Sequence, residues 1–503
     1  MKKKINIIGA GIAGLSAGCY LQMNGYETEI FEMHTLPGGL CTAWERQGYH
    51  FDGCIHWLVG SSPSDVFYNL WNELVDMRNF RFIYDEEYLR IEDKFGKYIS
   101  LYKDADKLEK ELLTKAPEDK KLILELVNDI KKFSGLDLPV DIAPETMTVA
   151  DILKMIAKIA PYFYKIRKWN KFDFRQYSEK FQNPLLQKAI EYAFVPEMSA
   201  FFFIYSMAGM HRKGSGYPVG GSLNLSRQIE KRYFELGGNI HYNSKVVKIE
   251  TDSDTPNSAV TGIKLENGDS HGSDIVISAA DGHYTIFEML GGKYVDNKIR
   301  KIYDTYIPFS SYIQVSLGVA RKFDNVPSKL IFPPDKPIRI DEQTSWDVLE
   351  TRIFNFDPTM APVGKTVITV ILGTSEYLYW VDLKKNNPGQ YKAEKTRIAS
   401  EVIDAIDCRF GNVKQFLEVT DVSTPATVIR YTNNWKGSFE GWVLTPEIGL
   451  KQIKKTLPGL QNFYMAGQWV EAGGGLPAVL MSGRNVAQVI CKKDKKKFST
   501  LSF

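Results

Sequence analysis

The pattern of hydrophobic positions at the start of the chain predicts a strand, a tight turn, a helix and a second strand. Residues 5–8 are an apolar run rich in isoleucine, and residues 9–14 place three glycines in the spacing G-x-G-x-x-G. Residues 15–21 are rich in alanine and leucine, and residues 27–31 are strand-like again. This order of elements is typical of the βαβ unit that binds dinucleotides.

Each glycine of the turn has its own mechanical role in that unit. Gly9 permits the tight turn, Gly11 lets backbone N–H groups approach a diphosphate, and Gly14 lets the helix pack closely on the strand. Glu32 follows the second strand, where a carboxylate accepts hydrogen bonds from ribose hydroxyls and repels a 2′-phosphate. The residues therefore predict a site for FAD or NAD rather than NADP. The alternatives are a glycine turn present for backbone reasons alone and a solvated Glu32.

Between residues 67 and 133 the hydrophobic pattern no longer matches a dinucleotide-binding βαβ unit. Three short runs, 80–84, 88–91 and 98–102, are strand-like, and leucines from Leu108 to Leu126 then recur at helical spacing among Lys and Glu. With 503 residues the chain exceeds one compact core. These elements predict the first part of an inserted domain, without chemistry of their own.

Residues 151–177 combine apolar, aromatic and basic positions. Such a segment can lie in the headgroup region of an anionic membrane. The alternative is a helix pair that packs its apolar stripe on the core and leaves its lysines in water. Residues 194–210 are more apolar, but Pro196 and Glu197 make the stretch too polar and too short to span a bilayer. We predict a buried helix there that lines a hydrophobic substrate cavity, with simple core packing as the alternative.

The dinucleotide-binding pattern returns in the second half of the chain. Residues 220–233 predict a helix opened by a Gly-Gly pair, and residues 246–249 and 274–280 predict strands. Runs 311–319 and 365–372 predict strands of a second insertion. Residues 462–490 predict a closing strand, glycine loop and helix.

Composition and charge narrow the class of function. The chain is 44% hydrophobic and 24% charged, as in soluble globular enzymes, and its net charge of +3 argues against nucleic acid as a partner. Its five cysteines show no C-x-x-C spacing, which indicates neither a metal site nor a disulfide framework and fits a reducing cytoplasm. Lys2 to Lys4 precede an apolar run as in a signal peptide, but the glycine turn breaks that run, so we expect no signal.

Two further motifs carry a resemblance to a known family. Pro37-Gly38-Gly39-Leu40 follows Glu32, and Gly48 to Trp57 reads G-Y-H-F-D-G-C-I-H-W. Both are similar to the extended flavin fingerprint of the phytoene desaturase, carotenoid isomerase and retinol saturase family, within the glutathione-reductase-type flavoproteins. The sequence from Phe51 to Trp57 resembles the retinol saturase and isomerase branches more closely than the phytoene desaturases. The resemblance implies FAD rather than NAD.

The resemblance also implies the fold. We expect an α/β protein with a discontinuous, Rossmann-like FAD-binding domain of the GR2 type and an inserted α+β substrate domain. The expected FAD-binding parts are residues 1–66, 216–289 and 426–503. The expected substrate-domain parts are residues 67–215, which include the segment of possible membrane contact, and residues 290–425, which supply its sheet.

The positions that match the family's flavin contacts come from all three parts of the FAD-binding domain. They are Gly9, Gly11, Ile12, Ala13, Gly14, Glu32, Met33, Gly38, Gly39, Leu40, Gly53, Ile55, His56, Val246, Ala279, Gly467, Gly475, Leu476 and Ala478. His56 is the one catalytic candidate, because imidazole donates or accepts a proton near neutral pH. Its alternative role is a plain hydrogen bond to backbone or flavin. Arg430 and Tyr431 either face substrate or form a structural turn.

The function that the resemblance implies is hydride transfer to or from a carbon–carbon bond of a lipophilic, isoprenoid or carotenoid-like substrate. A quinone, oxygen or a nicotinamide would be the electron partner, with peripheral membrane contact. The direction stays open between a desaturase, a retinol-saturase-like C=C reductase and an isomerase that uses reduced flavin. A flavin-binding protein without chemistry of its own is the second alternative.

Overall fold

A five-stranded parallel sheet joins distant segments of the chain. The computed structural model describes residues 2–255, 257–449 and 451–503. The sheet's strand order is Asn239–His241, Glu27–Phe31, Lys4–Ile8, Ile275–Ser278 and Phe463–Met465. All four neighbouring pairs are parallel, so every connection between them crosses over. The predicted α/β, Rossmann-like fold is confirmed.

The helix Ile12–Met23 is buried on nearly all sides because small residues let its neighbours approach. It packs against Leu476–Lys493 on one side and Gly221–Glu235 on another. A Cβ on Gly14 would overlap the carbonyl oxygen of Gly9, and one on Gly18 would come within 2.6 Å of the Tyr233 ring. Glycine at these two positions therefore sets the spacing of the layer.

A seven-stranded sheet forms the second large layer. Its strand order is Leu417–Ser423, Ser311–Val319, Thr366–Thr374, Leu349–Ile353, Lys329–Phe332, Glu87–Glu92 and Tyr98–Tyr102. The runs predicted at 311–319 and 365–372 correspond to Ser311–Val319 and Thr366–Thr374, which pair antiparallel along their whole length. One face of this sheet packs its aliphatic side chains against the helix Pro388–Phe410. On the other face, the paired residues Glu350 and Ile371 line a cavity.

Smaller strands and the other helices surround these layers. The remaining strands are Ala43–Arg46, Tyr49–Asp52, Leu58–Val59, Phe82–Ile83, Ser215–Pro218, Val246–Thr251, Ser258–Leu265, Ser270–Gly272, Ile338–Arg339, Ser345–Trp346 and Leu460–Gln461. The remaining α-helices are Phe67–Leu74, Ala105–Lys115, Lys120–Phe133, Val149–Ile159, Phe163–Trp169, Phe174–Ser178, Pro184–Glu191, Ala200–His211, Asn297–Thr305, Tyr377–Asn386 and Pro425–Thr432. Within the three described ranges, no helix has the length and apolar character needed to cross a bilayer.

Three local expectations differ from the structure. The helix predicted over 194–210 begins only at Ala200, because Pro196 disfavours helix before it and the Ser199 hydroxyl caps the N–H of Phe201. The strand predicted over 80–84 is reduced to Phe82–Ile83. The turn considered for Arg430 and Tyr431 is wrong, since both lie in the helix Pro425–Thr432.

Candidate functional site

A cavity of about 810 Å³ extends from the glycine turn to the seven-stranded sheet. Every predicted flavin position except Gly14 and Ala478 lines it. Gly14 instead faces the carbonyl of Gly9 and the methyl group of Ala279, where it serves packing. Tyr431 also lines the cavity.

The glycine turn and the segment after Glu32 form one end of the cavity. Gly38 donates its N–H to the carbonyl of Ala10 at 2.8 Å, and Gly11 lies opposite Gly38 as a parallel bridge. The Glu32 carboxylate is 6% exposed and accepts N–H bonds from Ala10 at 2.7 Å and His34 at 2.8 Å. Burial raises the pKa of Glu32, while these backbone donors lower it. The acidic group is thus fixed at the strand end.

This end of the cavity fits an elongated dinucleotide. A Cβ on Gly11 would meet only the carbonyl oxygen of Gly38, at 3.9 Å, so packing does not require glycine there. Among the described residues, no side chain caps the N-terminus of Ile12–Met23 or of Leu476–Lys493. The N–H groups of both first turns are therefore available to an anion or a polar ring edge.

Asp52 and Arg352 hold the segment that carries His56. Asp52 accepts N–H bonds from Cys54 at 2.8 Å and Ile55 at 3.1 Å, and a hydroxyl bond from Ser222 at 2.6 Å. From the seven-stranded sheet, Arg352 donates to the carbonyls of Ile55 at 2.9 Å and His56 at 3.0 Å. The segment is fixed from two sides, so side chains on it keep one orientation toward the cavity.

His56 lines the cavity as a neutral imidazole. Burial lowers its pKa well below the usual value, and the positive charges of Arg352 and Lys329 lower it further. At neutral pH this ring therefore carries one proton on one of its two nitrogens. It can accept a hydrogen bond or a proton through the other nitrogen.

Glu440 is a cavity residue that the sequence reasoning missed. Its carboxyl group lies against Gly474 and accepts a backbone hydrogen bond from Gly475, in the glycine loop that opens the last helix. Burial raises the pKa of Glu440 to about 8. The carboxyl group therefore holds its proton at neutral pH. An acid between aromatic and glycine residues, Phe439 and Gly441, was the available sequence signal.

The far half of the cavity is mostly aromatic. Its aromatic wall is formed by Trp57, Tyr88, Tyr192, Phe194, Phe202, Phe309, Tyr312, Trp346 and Phe439. Trp57 packs edge-on against Tyr88 at 5.6 Å between ring centroids, and Phe194 against Phe202 at 5.5 Å. The cavity-lining helix predicted within 194–210 contributes Phe202 and Ser206, but most of the lining comes from the irregular segment before it, residues 192–198. This half suits a long apolar molecule.

Comparisons of the sequence with known proteins find similarity to flavin-containing oxidoreductases and to proteins named for carotenoids. The sequence model of flavin containing amine oxidoreductases matches residues 12–491. Prolycopene isomerase of Arabidopsis thaliana is 24% identical over 514 residues, covering 95% of this chain and 80% of that protein. The lycopene-forming phytoene desaturase of a Paracoccus species is 24% identical over 507 residues, with 96% of both chains covered.

Solved structures share the fold. An oxidoreductase from Methanosarcina mazei has a TM-score of 0.57 and 17% identity, covering 96% of this chain and 100% of that one. Wild-type putrescine oxidase bound to putrescine has a TM-score of 0.60 and 12% identity, covering 98% and 99%. At these identities the likeness concerns the arrangement of the layers.

Proposed function

The chain belongs to the flavin containing amine oxidoreductase family, and from this premise we propose that it is an FAD-dependent oxidoreductase acting on a carbon–carbon bond of a lipophilic, carotenoid-like isoprenoid. The observation that carries this proposal is the continuous cavity, with a dinucleotide-fitting end and an aromatic end. Relatives named for prolycopene, phytoene and diapophytoene support the substrate class. The proposal includes the division of the chain into three FAD-binding segments and two substrate-domain segments, with the bounds predicted from the sequence.

FAD, when bound, supplies the hydride chemistry, and the protein supplies position and polarity. The glycine turn and the first turns of two helices bind the cofactor's polar groups. The aromatic wall orients an apolar chain and excludes water. Glu440 holds a proton beside the glycine loop, and His56 offers a neutral imidazole on the fixed segment. Desaturation, saturation and isomerisation remain the candidate directions, with a quinone, oxygen or a nicotinamide as electron partner in a reducing cytoplasm.

The visible spectrum of the purified protein tests this function. After reconstitution with FAD under anaerobic conditions, we expect flavin bands that shift when a carotenoid-like polyene is added. Bleaching by NADH or NADPH indicates a reductase or a reductively activated isomerase, and bands that persist indicate a desaturase that uses quinone or oxygen. Failure to bind FAD would contradict the enzyme proposal. Flavin bands that respond to no polyene and no nicotinamide would favour a flavin-binding protein without its own chemistry.

We further propose that the segment 151–177 contacts an anionic membrane, chiefly through the helices Val149–Ile159 and Phe163–Trp169. No side chain of the helix Val149–Ile159 is fully buried, although Met155 and Ile159 are half-buried. This exposure supports membrane contact over the alternative in which the helix packs its apolar stripe on the core. Leu153 is 61% exposed and Tyr164 81% exposed. Lys165 and Lys168 pair with Asp129 and Glu125, so these two lysines are engaged within the protein. The exposed apolar side chains of this segment are therefore its main membrane anchors, and Lys165 and Lys168 contribute less because they are paired within the protein.

Vesicle co-sedimentation tests this surface. The double variant Leu153→Glu, Ile156→Glu is expected to lower binding to phosphatidylglycerol-containing vesicles at least about tenfold, because exposed apolar side chains enter the acyl boundary. Leu378→Glu, at another exposed leucine in the helix Tyr377–Asn386, serves as the control and should bind normally. Equal binding of all three proteins would rule out this surface as the anchor.

A further inference from the structure

A charged pair stands in the aromatic half of the cavity. The Nζ of Lys329 and the Oε1 of Glu350 are 2.9 Å apart, with the two side chains 15% and 33% exposed. Both line the cavity, and the ammonium group of Lys329 lies 5.4 Å from the centre of the Tyr88 ring. An ion pair is thus built into a wall that is otherwise mostly apolar.

The strand register shows that the pair occupies the cavity face of the sheet. Lys329 pairs with Arg352, and Glu350 pairs with Ile331 and Ile371, so these side chains share one face. The alternate positions Leu330 and Leu349 are fully buried on the opposite face. The same two strands therefore carry aliphatic side chains on one side and charges on the side that faces the ligand.

Stability does not account for the pair. Removing two charges from water costs about as much as their attraction returns, and apolar replacements of similar volume are often neutral or stabilising. A ligand that fills the cavity would strip the remaining water from both groups. A pure hydrocarbon would then leave their free hydrogen-bonding positions without partners, which weakens binding.

We propose that Lys329 and Glu350 bind a hydroxyl group on the substrate, so that the preferred substrate is an isoprenoid alcohol rather than a hydrocarbon. A hydroxyl oxygen accepts a hydrogen bond from the ammonium of Lys329, and its hydrogen donates to the carboxylate of Glu350. A carbonyl satisfies only Lys329. A carboxylate can pair with Lys329 but is repelled by Glu350. This inference rests on the proposed function and adds the chemical class of the substrate's polar group.

Three polyenes with one carbon skeleton test the inference on the FAD-loaded protein. We use all-trans-retinol, its methyl ether and all-trans-retinoic acid, and follow quenching of tryptophan fluorescence, since Trp57 and Trp346 line the cavity. We expect the alcohol to bind at least about tenfold more tightly than the ether, which lacks the donor, and than the acid. Equal binding of all three would overturn the inference while leaving the proposed function intact. No binding of any of them by a protein whose flavin bands still shift with a carotenoid-like polyene would overturn the inference alone.

Variants separate recognition from general disruption. Glu350→Gln should weaken retinol binding about tenfold and strengthen retinoic acid binding, because the repulsion is removed. A purely structural role for Glu350 would weaken all three ligands alike, and that result would overturn the inference. Lys365→Met breaks another lysine–glutamate pair, Lys365–Glu418 at 2.6 Å, outside the cavity. It should leave all three affinities unchanged.

Discussion

The Glu440→Gln variant is expected to bind FAD as the wild type does and to lose at least about 100-fold in turnover. Glutamine keeps the size of the side chain and an oxygen that accepts the N–H of Gly475. It cannot give up or take up a proton. Because Glu440 lines the cavity at the glycine loop, a reaction that adds or removes a proton at the substrate would lose its proton-transfer group.

The pH dependence of turnover identifies the direction of that proton. With a pKa of about 8, Glu440 is protonated below this pH and ionised above it. If the carboxyl group donates a proton, kcat falls as the pH rises through about 8; if it accepts one, kcat rises there. The glutamine variant should lose that limb of the profile in either case. The limb therefore distinguishes saturation from desaturation, which the sequence leaves open.

A control variant shows whether replacing a nearby glutamate outside the cavity has the same effect. Glu447 lies a short way along the chain and is exposed, so Glu447→Gln should retain both turnover and the pH profile. Wild-type turnover and an unchanged profile in Glu440→Gln would remove this residue from the reaction. His56→Ala makes the parallel test of the sequence-based candidate, with flavin retained and turnover lowered.

The local sequence pattern predicts the residues at the glycine-turn end of the cavity far better than those at its aromatic end. The turn from Gly9 to Gly14 and the strand before Glu32 lie within a short stretch, and each glycine has a steric duty that is readable in sequence. Arg352 shows the opposite case. Its role depends on the register of Leu349–Ile353 beside Lys329–Phe332, which places it over the carbonyls of Ile55 and His56.

Dependence on long-range packing also explains why the sequence did not predict Glu440, Lys329 and Glu350 as cavity residues. None of the three lies in a recognisable motif, and only the packing of distant segments places each one in a largely apolar cavity. The prediction for residues 194–198 was wrong, because their apolar composition predicts a helix, whereas Pro196 and the cap at Ser199 keep them irregular. Hydrophobicity alone does not distinguish a cavity wall from a core helix.

Two glycines of one turn are expected to fail in different ways when replaced by valine. Gly11 has a φ of −67°, which suits any residue, and a Cβ there would project into the cavity with only the carbonyl oxygen of Gly38 within 4 Å. Gly11→Val should therefore fold with a nearly unchanged melting temperature of the apoprotein. Its side chain would occupy the space over the turn, so we expect FAD affinity to fall at least about 100-fold.

Gly14→Val is the matched variant, because its Cβ would overlap the backbone of Gly9. Overpacking at this contact is expected to cost about 3 kcal/mol of folding stability or to prevent folding. Circular dichroism melts of both apoproteins and quenching of flavin fluorescence measure the two effects separately. If Gly11→Val bound FAD like the wild type, the diphosphate would not lie over this turn. Loss of binding in a folded Gly11→Val, beside an unstable Gly14→Val, would assign the first glycine to the ligand and the second to the helix–strand contact.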